Sequence, residues 1–247
     1  MHLGGAVELF GELTSKGERK KPRRWVTIGC DLGQRRDPTA ICVTESQLRP
    51  TGETRVAVRH PDGSQTQRPE TVGFFAVRHL ERLQLGTSYP EVTARVAEVI
   101  GRLEATFPTA HLALVVDQTG VGLPVVEMVR EALRGSRCSV TGAVLTGSER
   151  MEGSVGRREI RVGKTHLVAT LQALLEQRLI ALPETAEGRQ LAQELQDFEI
   201  RVNENANLIS GAFRTGAHDD LVVALGLSCL DDPRKRQVGV SSVALWE

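Results

Sequence analysis

Acidic residues at three places are the feature of this 247-residue chain that points most directly to chemistry. Asp31 and Asp117 each end an apolar run that has the length and composition of a strand, and the pair Asp219-Asp220 opens an apolar helical pattern. Carboxylates at strand ends and at a helix start can converge on one point. Such a cluster is costly unless a divalent cation neutralises it. The pattern therefore predicts a metal site whose candidate ligands are Asp31, Asp117, Asp219 and Asp220.

Each acid taken alone also has a structural explanation. An aspartate after a strand often caps a turn, which suits Asp31, and Asp117 precedes a Gln-Thr-Gly turn that could cap the next helix. Asp219 and Asp220 could be a helix N-cap and a dipole partner. Capping is a poorer explanation for all three acidic sites together than for any one of them, because the acids occur in this order and spacing.

Phosphodiester hydrolysis is the chemistry that such a cluster serves. It needs an activated water and stabilisation of the charge that develops on the phosphate. Two divalent cations about 3.5–4 Å apart can supply both. Magnesium tolerates little geometric error, so its oxygen ligands have to come from rigid elements. We therefore expect a nuclease in which the same four aspartates are catalytic and hold Mg²⁺ or Mn²⁺, with two ions bound.

Nucleic-acid contacts are expected from basic loops near the acids. Lys plus Arg equals Asp plus Glu, 31 each, which argues against a basic footprint over the whole molecule but not against a local one. No helix combines Arg and Asn in a base-reading array, so we expect little sequence preference. The candidate DNA-binding residues are Arg35, Arg36, Arg157, Arg158, Arg161, Lys164 and His218.

The hydrophobic periodicity predicts the elements that position these residues. A β meander begins at Trp25, and alternating helices and strands follow it. The predicted later elements are a helix from near Pro90, strands at 112–116 and 139–145, a helix from Pro124, a loop or hairpin at 146–162, helices at 164–179, 186–197 and 219–230, and a hairpin around 203–207. This order is typical of an α/β layer fold with a mixed sheet.

The four cysteines form no CxxC pair and lie mostly in apolar stretches, so we expect buried free thiols in a reducing compartment. No signal peptide is visible, and no apolar run approaches the roughly 20 residues that span a bilayer. A soluble, cytoplasmic protein without membrane contact is the expectation.

Four sequence blocks resemble the nuclease domain of phage large terminase subunits, which belong to the ribonuclease H-like superfamily. The likeness extends from about Trp25 to Leu230, and the last block is the most specific. The blocks are Ile28–Gly33 with Asp37–Ala40 downstream, Val115–Gly122, Val162–Lys164 with the helix after it, and Gly216–Leu225.

The resemblance implies a fold and a set of roles. It implies a single ribonuclease H-like domain, a mixed central sheet flanked by helices, over residues 25–232, with a basic arm or linker at 1–24 and a tail at 233–247. It implies that Asp31 bridges two metal ions and that Asp117 and Asp220 each complete one coordination shell. By the same resemblance Asp219 would be an alternative or additional ligand, ranked below Asp220 because Asp220 matches the corresponding acid of Holliday-junction resolvases.

The resemblance also implies a biological role. A terminase nuclease cuts concatemeric double-stranded DNA during genome packaging, in the cytoplasm of a bacterial host. A full terminase carries an amino-terminal packaging ATPase for which this chain has no room. The chain is then either a split or truncated terminase or a stand-alone relative, and for a split terminase a separate packaging ATPase, a small terminase subunit and a portal are the expected partners.

Two other functions stay open at the level of sequence. Residues 28–33 also resemble the first phosphate loop of actin-like and sugar-kinase-like phosphotransferases, although the chain is short for two such lobes. A non-catalytic DNA-binding assembly module, with the acids as caps, is the other alternative. The segment Gly163-Lys164-Thr165 lacks the glycine spacing of a nucleotide-binding loop.

Overall fold

The computed structural model describes residues 24–33, 37–61, 63–120, 122–202, 208–212 and 219–237. The strands are β1 (Trp25–Asp31), β2 (Ala40–Arg59), β3 (Gln65–Arg82), β4 (His111–Asp117), β5 (Ser139–Thr146), β6 (Met151–Glu152), β7 (Glu159–Gly163), β8 (Ile180–Ala181), β9 (Phe198–Val202) and β10 (Leu208–Ala212). The helices are α1 (Tyr89–Thr106), α2 (Gly122–Ala132), α3 (Lys164–Glu176), α4 (Ala186–Asp197), α5 (Asp220–Ser228) and α6 (Pro233–Gln237).

A mixed sheet of eight strands forms the centre of the domain, in the order β6-β7-β5-β4-β1-β2-β3-β8. Strands β2 and β6 run against the other six, and β9 pairs with β10 in a separate hairpin. The central order β3-β2-β1-β4-β5, with β2 antiparallel, is a ribonuclease H-like arrangement. The predicted fold class, an α/β domain with a mixed sheet flanked by helices, is confirmed.

Helices cover both faces of the sheet, which explains why its central strands are continuously apolar. Along β4, Leu112, Leu114 and Val116 join the core beneath α1 and α2. Val115, between them, joins the core on the opposite face with residues of α3 and α5. Since successive strand residues point to opposite faces, burial of both faces requires an apolar residue at every position.

Helix α5 is buried along its whole length, from Asp220 to Ser228. It lies very close to β1, because a Cβ atom on Gly29 would stand 2.0 Å from the backbone oxygen of Ala224. A buried hydrogen bond of 2.7 Å between the hydroxyls of Thr44 and Ser228 ties the same helix to β2. Helix α5, which follows Asp219, is therefore held tightly against β1, the strand that ends at Asp31, and against its neighbour β2.

The β2–β3 hairpin is longer than the sequence pattern indicates. Strand β1 pairs with the part of β2 from Ala40 to Ser46, and the remainder of β2 pairs with β3 as a two-stranded ribbon. The polar stretch 60–69 contains glycine and proline, a composition typical of a loop, yet β3 already begins at Gln65. The pattern is misleading here because an exposed ribbon satisfies its backbone hydrogen bonds without burying an apolar face.

The described carboxyl-terminal segment includes a short helix that packs against the sheet. Helix α6 begins at Pro233, which is buried and lies against Gly73 of β3. Residues 1–23 of the expected basic arm and 238–247 of the expected tail are outside the described residues.

The cysteine prediction is confirmed, because all four cysteines are buried free thiols. Among the helices that the structure describes, none is both long and apolar enough to cross a membrane.

Candidate active site

Three of the predicted acids line one pocket at an edge of the sheet. Asp31 and Asp117 are the last residues of the parallel neighbours β1 and β4, so both leave the sheet at the same edge. Asp219 immediately precedes α5 and reaches the same place. The pocket has a volume of about 330 Å³ and is lined by Asp31, Leu32, Gly33, Asp37, Tyr89, Asp117, Leu145, Lys164, Asp219 and Val223.

Local hydrogen bonds hold Asp117 at the pocket. Its Oδ1 accepts a hydrogen bond of 2.8 Å from the Thr119 N–H, and the Thr119 hydroxyl accepts one of 2.9 Å from the Leu145 N–H. The turn suggested by the sequence is therefore present. It orients the Asp117 carboxylate without removing it from the pocket, so the structural and the chemical explanations of this residue are both compatible with the fold.

The loop after β1 is closed by a reciprocal pair of hydrogen bonds. The Gly33 N–H donates to the Thr39 hydroxyl at 3.1 Å, and that hydroxyl donates to the Gly33 carbonyl at 3.0 Å. A Cβ atom on Gly33 would stand 2.0 Å from the backbone oxygen of Asp37. Glycine is therefore required for the loop to turn this tightly at the pocket wall.

The electrostatics of the pocket are dominated by negative charge. Burial raises the pKa of the Asp31 carboxyl well above its usual range, and the charges of Asp117, Asp219 and Asp220 raise it further. Lys164 opposes them but does not balance them. A site with several carboxylates and one ammonium group lacks positive charge, which a bound cation would supply.

The donor set fits a hard divalent cation. Asp31, Asp117 and Asp219 offer carboxylate oxygens, which magnesium and manganese prefer over nitrogen and sulfur. Within the described ranges, no three carboxylate, imidazole or thiol groups already lie together in a metal-binding arrangement. Asp31, Asp117 and Asp219 are spread around the wall of the pocket.

Asp220 is placed differently from the expectation. It is 1% exposed, and its Oδ2 accepts a hydrogen bond of 2.5 Å from Nε of Arg82 at the end of β3. It is not among the residues that line the pocket, whereas Asp219 is. The side chain of Asp219 makes no capping hydrogen bond to the described helix α5, so capping does not explain it.

The pocket is therefore lined by Asp219 and not by Asp220, although the sequence ranks Asp220 first as a ligand. The physical reason is the helix itself. Neighbouring residues at a helix start lie about 100° apart around the axis, so adjacent carboxylates face different surroundings.

One of the predicted basic residues lines the pocket. Lys164, the first residue of α3, is there because β7 ends at Gly163 on the same edge as β1 and β4. Arg157 and Arg158 precede the opposite end of β7, and Arg158 pairs with Glu127 of α2 at 2.8 Å.

The expectation that Arg157 and Arg158 lie near the acids is therefore corrected. A strand of five residues separates these arginines from Lys164, which corresponds to roughly 17 Å along the sheet. Arg161 is exposed in the middle of β7, between the buried Ile160 and Val162. The candidates Arg35, Arg36 and His218 are outside the described residues.

Sequence reasoning missed Arg82, Glu194 and Tyr89. Tyr89 lines the pocket, and Arg82 pairs with both Asp220 and Glu194. One signal was available, because an aspartate at the start of a helix as apolar as α5 has to be buried and needs a cation. Nothing in the local pattern shows that the cation is Arg82, which is 138 residues away.

Comparisons with known proteins return viral nuclease domains. The large terminase nuclease of thermophilic phage G20c, solved with bound magnesium, is 21% identical, with a TM-score of 0.48 over 84% of this chain and 82% of that one. The nuclease domain of large terminase subunit gp2 of bacterial virus Sf6, solved with manganese and beta-thujaplicinol, is 12% identical, with a TM-score of 0.49 over 83% and 87%. The human cytomegalovirus terminase nuclease domain is 14% identical, with a TM-score of 0.48 over 89% and 88%.

These are nuclease domains of the kind that the sequence motifs resemble. No family model and no curated protein matches the chain. A fold does not by itself transfer an activity. The function has to be argued from the side chains of the pocket.

Proposed function

We propose that this chain is a divalent-metal-dependent endonuclease that cuts double-stranded DNA by two-metal phosphodiester hydrolysis. The observation that carries the proposal is the pocket itself. Asp31, Asp117 and Asp219 reach it from two strand ends and a helix start, together with Lys164. A phosphodiester is a suitable substrate because it presents anionic oxygens to the metal ions and to the lysine.

Each pocket residue has a role in this proposal. Asp31, Asp117 and Asp219 would hold the divalent ions, and Asp31 lies within the electrostatic influence of both other pocket acids, which suits a shared ligand. Bound in this way, the ions would activate the attacking water and stabilise the leaving oxygen. Thr119 keeps the Asp117 carboxylate oriented. Lys164 donates hydrogen bonds to a phosphate oxygen and neutralises part of its charge.

The biological setting is part of the proposal and is supported by the motif resemblance. The chain would act as the nuclease of a large-terminase system and cut concatemeric DNA during genome packaging in the bacterial cytoplasm. A separate packaging ATPase, a small terminase subunit and a portal would be its partners. Mg²⁺ or Mn²⁺ would be the cofactor.

The test is cleavage of supercoiled plasmid by the purified protein with Mg²⁺ or Mn²⁺, with and without EDTA. We expect nicked and linear products that require the metal, and a loss of at least about 100-fold in rate for Asp31→Asn and for Asp117→Asn. Glu131→Gln is the control, because Glu131 is an exposed carboxylate on α2 that pairs with Arg134. Cleavage that persists unchanged in both aspartate variants would refute the proposal.

The same samples separate the two alternatives. A DNA-binding assembly module would retain DNA without metal and leave it uncut while a control nuclease cuts. A phosphotransferase would bind ATP in a calorimetric titration. Either result in place of metal-dependent cutting would replace the nuclease proposal.

A further inference from the structure

We propose that Arg82 is a positioning residue that fixes the amino end of α5, so that the Asp219 carboxylate is held at the pocket and not used as a helix cap. Its consequence for catalysis rests on the proposed nuclease function. Its consequence for the structure of α5 does not.

Arg82 connects three elements next to the pocket. It is the last residue of β3, and its Nε donates a hydrogen bond of 2.5 Å to Asp220 of α5. Its Nη2 donates to Glu194 of α4. The three side chains are 21%, 2% and 11% exposed, so the ion pairs are largely shielded from water.

The amino end of α5 is not capped by the side chain of its own N-cap residue. The first N–H groups of a helix have no partner within the helix and are usually satisfied by the side chain of the N-cap residue. In α5 the N-cap residue is Asp219, whose side chain makes no such bond to the described helix. The Glu194 carboxylate lies at the same helix end, where Arg82 holds it beside Asp220. The Asp219 carboxylate lines the pocket instead.

Arg82 makes this arrangement possible. Asp220 and Glu194 are two buried carboxylates at the same helix end, and two such charges repel each other strongly at low dielectric. Arg82 lies between them and bonds to both. Without the guanidinium group, the amino end of α5 would rearrange to separate or hydrate the acids, and Asp219 would move with it.

Metal affinity gives a readout that a merely stabilising role would not change. We would measure free Mn²⁺ by electron paramagnetic resonance during titration of the wild-type protein, Arg82→Gln and Arg82→Lys. We expect Arg82→Gln to bind Mn²⁺ about 10- to 100-fold more weakly, which is the usual effect of losing a residue that orients a metal ligand. Arg82→Lys keeps the positive charge but loses the planar guanidinium, whose Nε and Nη2 donate to two different carboxylates. We expect it to recover part of the Mn²⁺ affinity.

A triple variant separates positioning by Arg82 from direct ligation by Asp220. Arg82→Gln combined with Asp220→Asn and Glu194→Gln removes all three charges and keeps groups that can hydrogen-bond. We expect its Mn²⁺ affinity to return to within a few-fold of the wild type, while Asp219→Asn loses binding. A triple variant that loses binding as Asp219→Asn does would show that Asp220 is itself a ligand and would overturn the proposal.

Arg130→Gln is the matched control. Arg130 is similarly shielded, at 17% exposure, and pairs with Glu127 on α2. Wild-type Mn²⁺ affinity in a folded Arg82→Gln variant would refute the positioning role. If Arg82→Gln does not fold, the triple variant decides: Mn²⁺ affinity within a few-fold of the wild type supports the positioning role, and loss of binding as in Asp219→Asn overturns it.

Hydrogen exchange distinguishes this proposal from the proposed function. We expect the amides of Leu221, Val222 and Val223 to exchange faster in Arg82→Gln than in Arg130→Gln, with or without metal. A wild-type protein that binds no Mn²⁺ would refute the nuclease proposal alone. Unchanged exchange in Arg82→Gln would refute the positioning of α5 alone.

Discussion

Replacement of Gly29 by alanine tests how closely the acid-bearing helix depends on β1. Gly29 lies two residues before Asp31, and its Cα faces the backbone of α5. A Cβ atom placed there would be 2.0 Å from the oxygen of Ala224 and 2.7 Å from the nitrogen of Ser228. Both neighbours are backbone atoms of a buried helix and cannot rotate away as a side chain would.

The size of the effect follows from these distances. Relieving the contact with Ala224 requires β1 and α5 to separate by more than about 1 Å, because non-bonded heavy atoms settle at roughly 3.5 Å. Insertion of a methyl group into such a well-packed place costs about 1–3 kcal/mol, and we expect the upper end of that range. Asp31 and Asp219 lie on the two elements that must separate. A displacement of about 1 Å in a catalytic arrangement can cost about 100-fold in rate.

The assay combines urea unfolding with plasmid cleavage and Mn²⁺ titration. Gly101→Ala is the control, since Gly101 lies within α1 and a Cβ atom there meets no other atom within 4 Å. We expect Gly101→Ala to stabilise the protein by about 0.5–1 kcal/mol, because alanine favours a helix interior over glycine. If Gly29→Ala matched the wild type in unfolding midpoint and in Mn²⁺ affinity, the close approach of α5 to β1 would be wrong.

Three further measurements test other parts of the structure. Burial raises the pKa of Glu81, but the neighbouring side chains of His79 and Arg95 outweigh it and hold the pKa at about 2. Glu81 therefore stabilises the fold above the ordinary carboxyl pKa of about 4.3 and loses this contribution as the pH falls towards 2. The stability difference between wild type and Glu81→Gln should be about 1 kcal/mol at neutral pH and vanish towards pH 2, which acid-dependent urea unfolding would show. Thr44→Val should cost about 1 kcal/mol in the same assay, because it removes the buried hydrogen bond to Ser228. Burial raises the pKa of all four cysteine thiols, so a thiol reagent should modify them at the rate of unfolding, whereas fast reaction of the native protein would contradict their burial.

The elements that carry the acids could be predicted from the sequence. The apolar runs before Asp31 and Asp117 are continuous because both faces of β1 and β4 are covered, and each run ends where the sheet meets solvent. The helix after Asp219 is marked by its apolar composition and by Pro233 after its end. These are local consequences of burial and periodicity, which need no knowledge of distant contacts.

The tertiary structure decided which residues that are close in sequence also lie in the same environment. Asp219 and Asp220 are adjacent in sequence, yet one lines the pocket and the other pairs with Arg82, because the helix turns them apart and β3 supplies the cation. Lys164 and Arg158 are six residues apart, yet β7 carries them to opposite edges of the sheet. Local pattern determines where a strand or helix runs. The packing of distant elements determines what each side chain meets, since burial energy depends on contacts and not on distance along the chain.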